Sequence, residues 1–154
     1  MRQTGDAAPQ FSLPDAAAGA TVSLSELLAN GPVLLAFFKV SCPVCQLTFP
    51  FLQRMSSGGL QIVGVSQDDA RDTSSFNTKF GVTFRVLLDQ RSAGYVVSNA
   101  YGISSVPTLF LIEPDGHISM VVSGFSKRDL ETLGTRAGMP PFNATDRVPE
   151  FKPG

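Results

Sequence analysis

The sequence predicts an α/β fold: a central mixed β-sheet of about five main strands, helices on both faces, and an N-terminal β-hairpin extension. Three observations carry this expectation. Val33 to Phe38 is an unbroken apolar run, the pattern of a strand buried on both faces in the middle of a sheet. Strand-like and helix-like segments alternate along the chain and are punctuated by Gly, Pro, Asn and Ser. Thr108–Ile112 and Ile118–Ser123 flank Glu113-Pro114-Asp115-Gly116, a strong turn, so the sheet cannot be purely parallel.

Taken in order, residues 1–8 read as a loose arm. Phe11-Ser12-Leu13 and Thr21-Val22-Ser23 form the short N-terminal strands, joined by a loop of small residues, Ala16 to Ala20. Ser23 with Glu26 is a capping box opening a brief helix, Leu24 to Ala29, which Asn30-Gly31-Pro32 stops. After the apolar run, Val44, Leu47, Phe51 and Met55 recur at helical spacing, with Pro50 expected to bend that helix. Leu60 to Ser66 is the next strand, and Gln67-Asp68-Asp69 reads as a solvated turn before a helix over Ala70 to Phe80, stopped by Gly81. Phe84 to Leu88 is a short strand. Ser92 is expected to cap a helix from Ala93 to Tyr101, in which Tyr95 and Tyr101 are packing residues. Ser126 caps a last helix, Lys127 to Ala137, ended by Gly138. The division is therefore one domain over residues 1–138 and a Pro-rich C-terminal tail over 139–154, lying on the surface or disordered.

The chemistry is concentrated in Phe37-Phe38-Lys39-Val40-Ser41-Cys42-Pro43-Val44-Cys45, which holds both cysteines of the chain. Strand, Cys-x-x-Cys, helix is the layout of a dithiol redox site. A thiolate at a helix start is stabilised by unpaired backbone N–H groups and the positive end of the helix dipole. Cys42 sits there, and Pro43 suits the first helical position because its missing N–H would be unpaired anyway. Cys45 follows one turn later on the same face and is expected to be the more buried thiol. Cys42 then attacks a substrate disulfide and Cys45 resolves the mixed disulfide. Lys39 is a candidate for lowering the thiol pKa, against the plainer reading of a solvated lysine. A zinc site takes four ligands, and His117, the one histidine, leaves such a site incomplete. His117 itself reads as exposed on a hairpin shoulder.

Ser41-Cys42-Pro43-Val44-Cys45 with Pro50 resembles the thioredoxin superfamily, and Val106-Pro107-Thr108 resembles its cis-proline loop. Gly5-Asp6-Ala7-Ala8-Pro9-Gln10-Phe11-Ser12-Leu13, with Val22-Ser23-Leu24 and Leu27, resembles the redoxin (AhpC/TSA) branch, including TlpA/ResA-like thiol-disulfide oxidoreductases and peroxiredoxins. The resemblance implies a thioredoxin-like fold, a cis peptide bond before Pro107, and catalytic roles for Cys42, Cys45 and Pro107. It also implies that Ser41, Pro43, Val106 and Thr108 meet the substrate, with Val106 and Thr108 offering backbone groups to an extended peptide. Ala36 stands where thioredoxins carry a buried aspartate that assists the second cysteine, so any such base must come from elsewhere.

Two other functions were weighed. Peroxiredoxins resemble Pro-x-x-x-Thr-x-x-Cys, but here Cys42 takes the threonine's place, Cys45 the peroxidatic place, and no arginine matches near Val106-Pro107. Copper-binding relatives use Cys-x-x-x-Cys and a histidine near the cis-proline; here the spacing is one residue shorter and Val106 stands near that loop. A thiol-disulfide oxidoreductase is the preferred reading. Its expected couple is the Cys42–Cys45 disulfide, with no other cofactor and no metal. Its expected partners are a protein or small-molecule disulfide or dithiol client and an upstream reductant or oxidant, acting on a monomer.

Charge gives no case for nucleic acid, with 12 Lys and Arg against 13 Asp and Glu. No stretch reaches the ~18 apolar residues of a membrane span. Met1 to Ala8 has no signal-peptide core, so the chain as written reads as cytoplasmic, and as periplasmic or exported if it is a trimmed piece.

Overall fold

The computed structural model describes residues 1–154. Its centre is a five-stranded sheet in the order β5 (Val86–Leu88), β4 (Gln61–Ser66), β3 (Val33–Phe38), β6 (Thr108–Ile112), β7 (Ile118–Ser123). β3, β4 and β5 run parallel, while β6 is antiparallel to both β3 and β7. The Glu113–Gly116 turn accounts for one of these antiparallel pairs; the other, β3 with β6, joins segments far apart in sequence. β1 (Ser12–Pro14) and β2 (Thr21–Ser23) form the N-terminal hairpin. Ser23 Oγ accepts from the Glu26 N–H at 3.1 Å and the Glu26 carboxylate accepts from the Ser23 N–H at 3.3 Å, closing the capping box of α1 (Leu24–Leu28).

β3 is buried along its whole length. Adjacent strand residues point to opposite faces, so Phe37 and Phe38 organise two different layers. Phe38 packs 4.2 Å from Phe49 of α2 (Pro43–Met55) and 5.0 Å from Phe76 of α3 (Ala70–Phe80), centroid to centroid. Phe37 packs 5.2 Å from Tyr101 of α4 (Val96–Tyr101) and 5.7 Å from Phe110. Helices therefore cover both faces. Gly64 lets the first layer close: a Cβ there would lie 3.1 Å from Val86 and 3.2 Å from the Phe38 ring.

Three local expectations are corrected. The N-terminal arm is not loose: the Gly5 N–H donates to Ile118 O, the Ala8 N–H to Gly116 O, and the Ile118 N–H to Asp6 O, which seats the arm on β7. α4 does not begin at Ala93 under a Ser92 cap. Ser92 lies in a 3₁₀ turn, Arg91–Ala93, and left-handed backbone at Gly94 and Tyr95 (φ 76° and 50°) separates that turn from the helix. The capping is done from a distance by buried Asp89, whose carboxylate accepts the Val97 and Ser98 N–H groups at 3.2 and 2.6 Å. β5 starts at Val86, because Phe84 leaves the sheet plane's ladder to pack on Phe49. After α5 (Lys127–Ala137) the tail lies on the surface: Phe142 packs 4.8 Å from Phe51, and β9 (Phe151–Lys152) pairs antiparallel with β8 (Phe125–Ser126).

Phe38→Ala should destabilise the protein by about 3–5 kcal/mol, because it opens a cavity under Phe49 and Phe76. Urea denaturation of the purified variant checks this, and a loss below about 1 kcal/mol would contradict the assigned layer.

Candidate active site

β3 ends at Phe38, and the chain turns through Lys39, Val40 and Ser41 before α2 begins. Cys42 is the N-cap of that helix. Its backbone is extended (φ −81°, ψ 116°), and its Sγ accepts the Cys45 N–H at 3.2 Å. A cysteine thus does the work that Ser or Asp usually does at a cap, and an N–H donor is aimed at its sulfur, a contact that favours a thiolate. Pro43 occupies the first helical position. Cys42 is partly exposed and Cys45 fully buried; both are free thiols. Burial, then the hydrogen bond with Cys42, push the Cys45 thiol well above its usual range.

The second wall is the Val106–Pro107 loop, whose connecting peptide bond is cis. The Cys42 S–H donates to Val106 O at 3.4 Å, so this carbonyl touches the outer sulfur directly. Pro107 O is taken by the Gly124 N–H at 2.8 Å. Thr108 lies deeper than its expected role requires. It is fully buried in β6, paired to Phe37 on one side and Ser123 on the other, with its hydroxyl donating to Ser105 O at 2.8 Å. Its backbone belongs to the sheet, whereas the Val106 carbonyl meets the outer sulfur. Ser41 and Pro43 are exposed beside Cys42. Lys39 is exposed too; its carbonyl accepts the Cys42 N–H at 3.2 Å, and no ion pair holds its ammonium. Ala36 is fully buried, with no ionisable side chain at its place in the strand.

Sequence reading missed what holds the loop still. Asp68 accepts the Val40 N–H at 2.8 Å, and the Gln46 amide donates to Val40 O at 3.0 Å. Asp68 is itself set by its N–H bond to Ser66 Oγ at 3.1 Å. The position of Asp68 after a parallel strand was a usable signal, since such strand ends build sites in α/β sheets. Gln46 carries no comparable signal. Asp69 caps α3 by accepting the Asp72 N–H at 2.8 Å. His117 lies away from the dithiol, at the β6–β7 turn, bonded to Asp115. No three His, Cys, Asp or Glu side chains converge as a metal site.

Comparison with known proteins agrees with this geometry. Residues 4–121 match the AhpC/TSA family. The chain is 35% identical over 125 residues to the thiol-disulfide oxidoreductase ResA of Bacillus subtilis, covering 78% of this chain and 67% of that one. It is 29% identical over 133 residues to the protein of the same name from Geobacillus kaustophilus, covering 82% and 74%. Among solved structures, the thioredoxin domain of a thiol-disulfide oxidoreductase from Bacteroides vulgatus superposes with a TM-score of 0.77 at 25% identity, covering 89% of this chain and 99% of that one.

The raised Cys45 thiol has a pH consequence. In the folded, reduced protein Cys45 keeps its proton where the unfolded chain, with a usual value of 9.0, loses it. Its contribution is therefore intact below pH 9 and is lost as pH rises above it, by up to ~1.4 kcal/mol per pH unit. Denaturation of the reduced protein between pH 8 and 10.5 should show this slope, and Cys45→Ala should flatten it. An equal slope in the two proteins would refute the assignment.

Proposed function

As a member of the AhpC/TSA family, to which this chain belongs, the protein is a thiol-disulfide oxidoreductase, and we propose that Cys42 is its attacking thiolate and Cys45 its resolving thiol. The observation that carries this reading is the asymmetry of the pair: a partly exposed cap sulfur that receives a backbone N–H, and a buried sulfur one turn behind it. Cys42 attacks one sulfur of a client disulfide, forming a mixed disulfide and releasing the other client sulfur as a thiolate that takes a proton. Cys45 then gives up its proton and attacks Cys42. The Cys42–Cys45 disulfide forms, the second client thiolate leaves, and two electrons have passed to the client. An upstream reductant restores the dithiol. The couple is the cysteine pair itself, with no further cofactor.

Ser41 and Pro43 flank the approach to Cys42, Pro107 walls the site, and Val106 O is the backbone group available to a client peptide. Lys39 acts only through the long-range field of an exposed cation. The direction we propose is reductive. Strong oxidants owe their potential to a stabilised reduced form. Here the Cys42 sulfur has one contact that suits the thiolate, the Cys45 N–H, and one that suits the thiol, the Val106 carbonyl.

The peroxidase and copper readings are not favoured. Cys45, the sulfur in the peroxidatic place, is fully buried, and His117 is engaged elsewhere. No helix is long and apolar enough to cross a membrane.

Equilibration of the pair against thiol buffers should give a potential near about −270 mV, toward the reducing end of such couples. Cys42→Ser should reduce disulfide reductase activity to background, and Cys45→Ser should accumulate a mixed disulfide on Cys42. Full activity in Cys42→Ser would overturn the assignment of roles.

A further inference from the structure

The chain beyond α5 doubles back toward the dithiol. Its first part is firmly held: the Arg54 guanidinium forks onto Asp146 at 2.5 and 3.3 Å and donates to Pro141 O at 3.1 Å, while Phe142 packs on Phe51. Its last part is lightly held. The Lys127 N–H donates to Glu150 O at 2.9 Å, β9 contributes a ladder of two residues against β8, and residues 151–154 are all exposed. Leaving that ladder, the segment passes Gly124 so closely that a Cβ there would lie 2.4 Å from Lys152 O. It then meets the cis-proline loop. A Cβ on Gly154 would lie 2.3 Å from Val106 O and 2.8 Å from the Val106 carbonyl carbon. That oxygen is the one Cys42 Sγ touches at 3.4 Å. Two glycines, one on each side, permit the approach.

We propose that residues 151–154 are an intramolecular strap lying in the peptide track beside Cys42, and that a polypeptide client displaces it to bring its disulfide to that sulfur. The proposal rests on the thiol-disulfide oxidoreductase reading above. Pairing with β8 gives the strap the extended form a client peptide would take, and its end lies against the Val106 carbonyl that Cys42 Sγ touches. Two ladder residues are a weak hold, so the strap opens readily about the Asp146 anchor. Cys42 remains partly exposed with the strap in place, so a small disulfide reaches the sulfur without opening it. The device therefore discriminates by client size. It suppresses exchange with unselected small or flexible polypeptides and admits a partner whose binding to the β8 edge outcompetes the strap.

Two full-length variants release the strap without touching the dithiol. Lys152→Pro removes a backbone donor from β9, and Gly154→Val places a side chain where Val106 O stands. Each reduced protein is mixed with a disulfide-bonded polypeptide, such as insulin, and separately with hydroxyethyl disulfide. Both variants should reduce the polypeptide about tenfold faster than the parent, with unchanged rates on the small disulfide. Unchanged polypeptide rates, or equal changes on both substrates, would overturn the strap while leaving the oxidoreductase reading intact. A parent protein that reduces neither substrate would instead overturn the oxidoreductase reading, and the strap with it.

Discussion

The bond from the Cys45 N–H to Cys42 Sγ is the constraint around which the molecule is arranged. It makes the outer sulfur the cap of α2, so the more accessible thiol and the start of the helix are one feature. A cap sulfur can be held only if the strand before it ends at a defined place and the helix behind it cannot shift. Both conditions come from Phe38. Its ring is locked between Phe49 and Phe76, which ties the last residue of β3 to the body of α2 and to α3. The apolar layer under the sheet thereby fixes a polar geometry at its edge.

The linking loop is held by polar groups instead. Val40 has both backbone groups satisfied from outside its own segment, by Asp68 and Gln46. A bound loop keeps the outer sulfur from wandering, which matters because disulfide exchange needs aligned sulfurs. Burial of Cys45 has an electrostatic effect. It favours the protonated form of the inner thiol.

Val106 joins the two halves of the site. Its carbonyl meets both the Cys42 sulfur and the returning C-terminal segment. The neighbouring carbonyl, that of Pro107, is consumed by Gly124, and Thr108 is consumed by the sheet. The Val106 carbonyl is the loop acceptor in contact with the outer sulfur.

The sequence by itself determined the pieces whose causes are local. Val33–Phe38 could only be a fully buried strand, Ser23 and Glu26 reached each other within one turn, Gly81 and Gly138 stopped their helices in left-handed backbone, and the Cys-Pro-Val-Cys spacing put two sulfurs on one helical turn. Tertiary structure decided what depends on partners remote in sequence. Ser92 looked like a cap, but Asp89 does the capping because only the folded chain brings its carboxylate under α4. Asp68 looked like a solvated turn residue until the fold brought Val40 to it across 28 positions. The arm and the tail carry no periodicity of their own; the arm is ordered because β7 offers an unpaired strand edge, which exists only once the sheet has formed, and the tail because Arg54 pairs with Asp146 and Phe51 packs on Phe142.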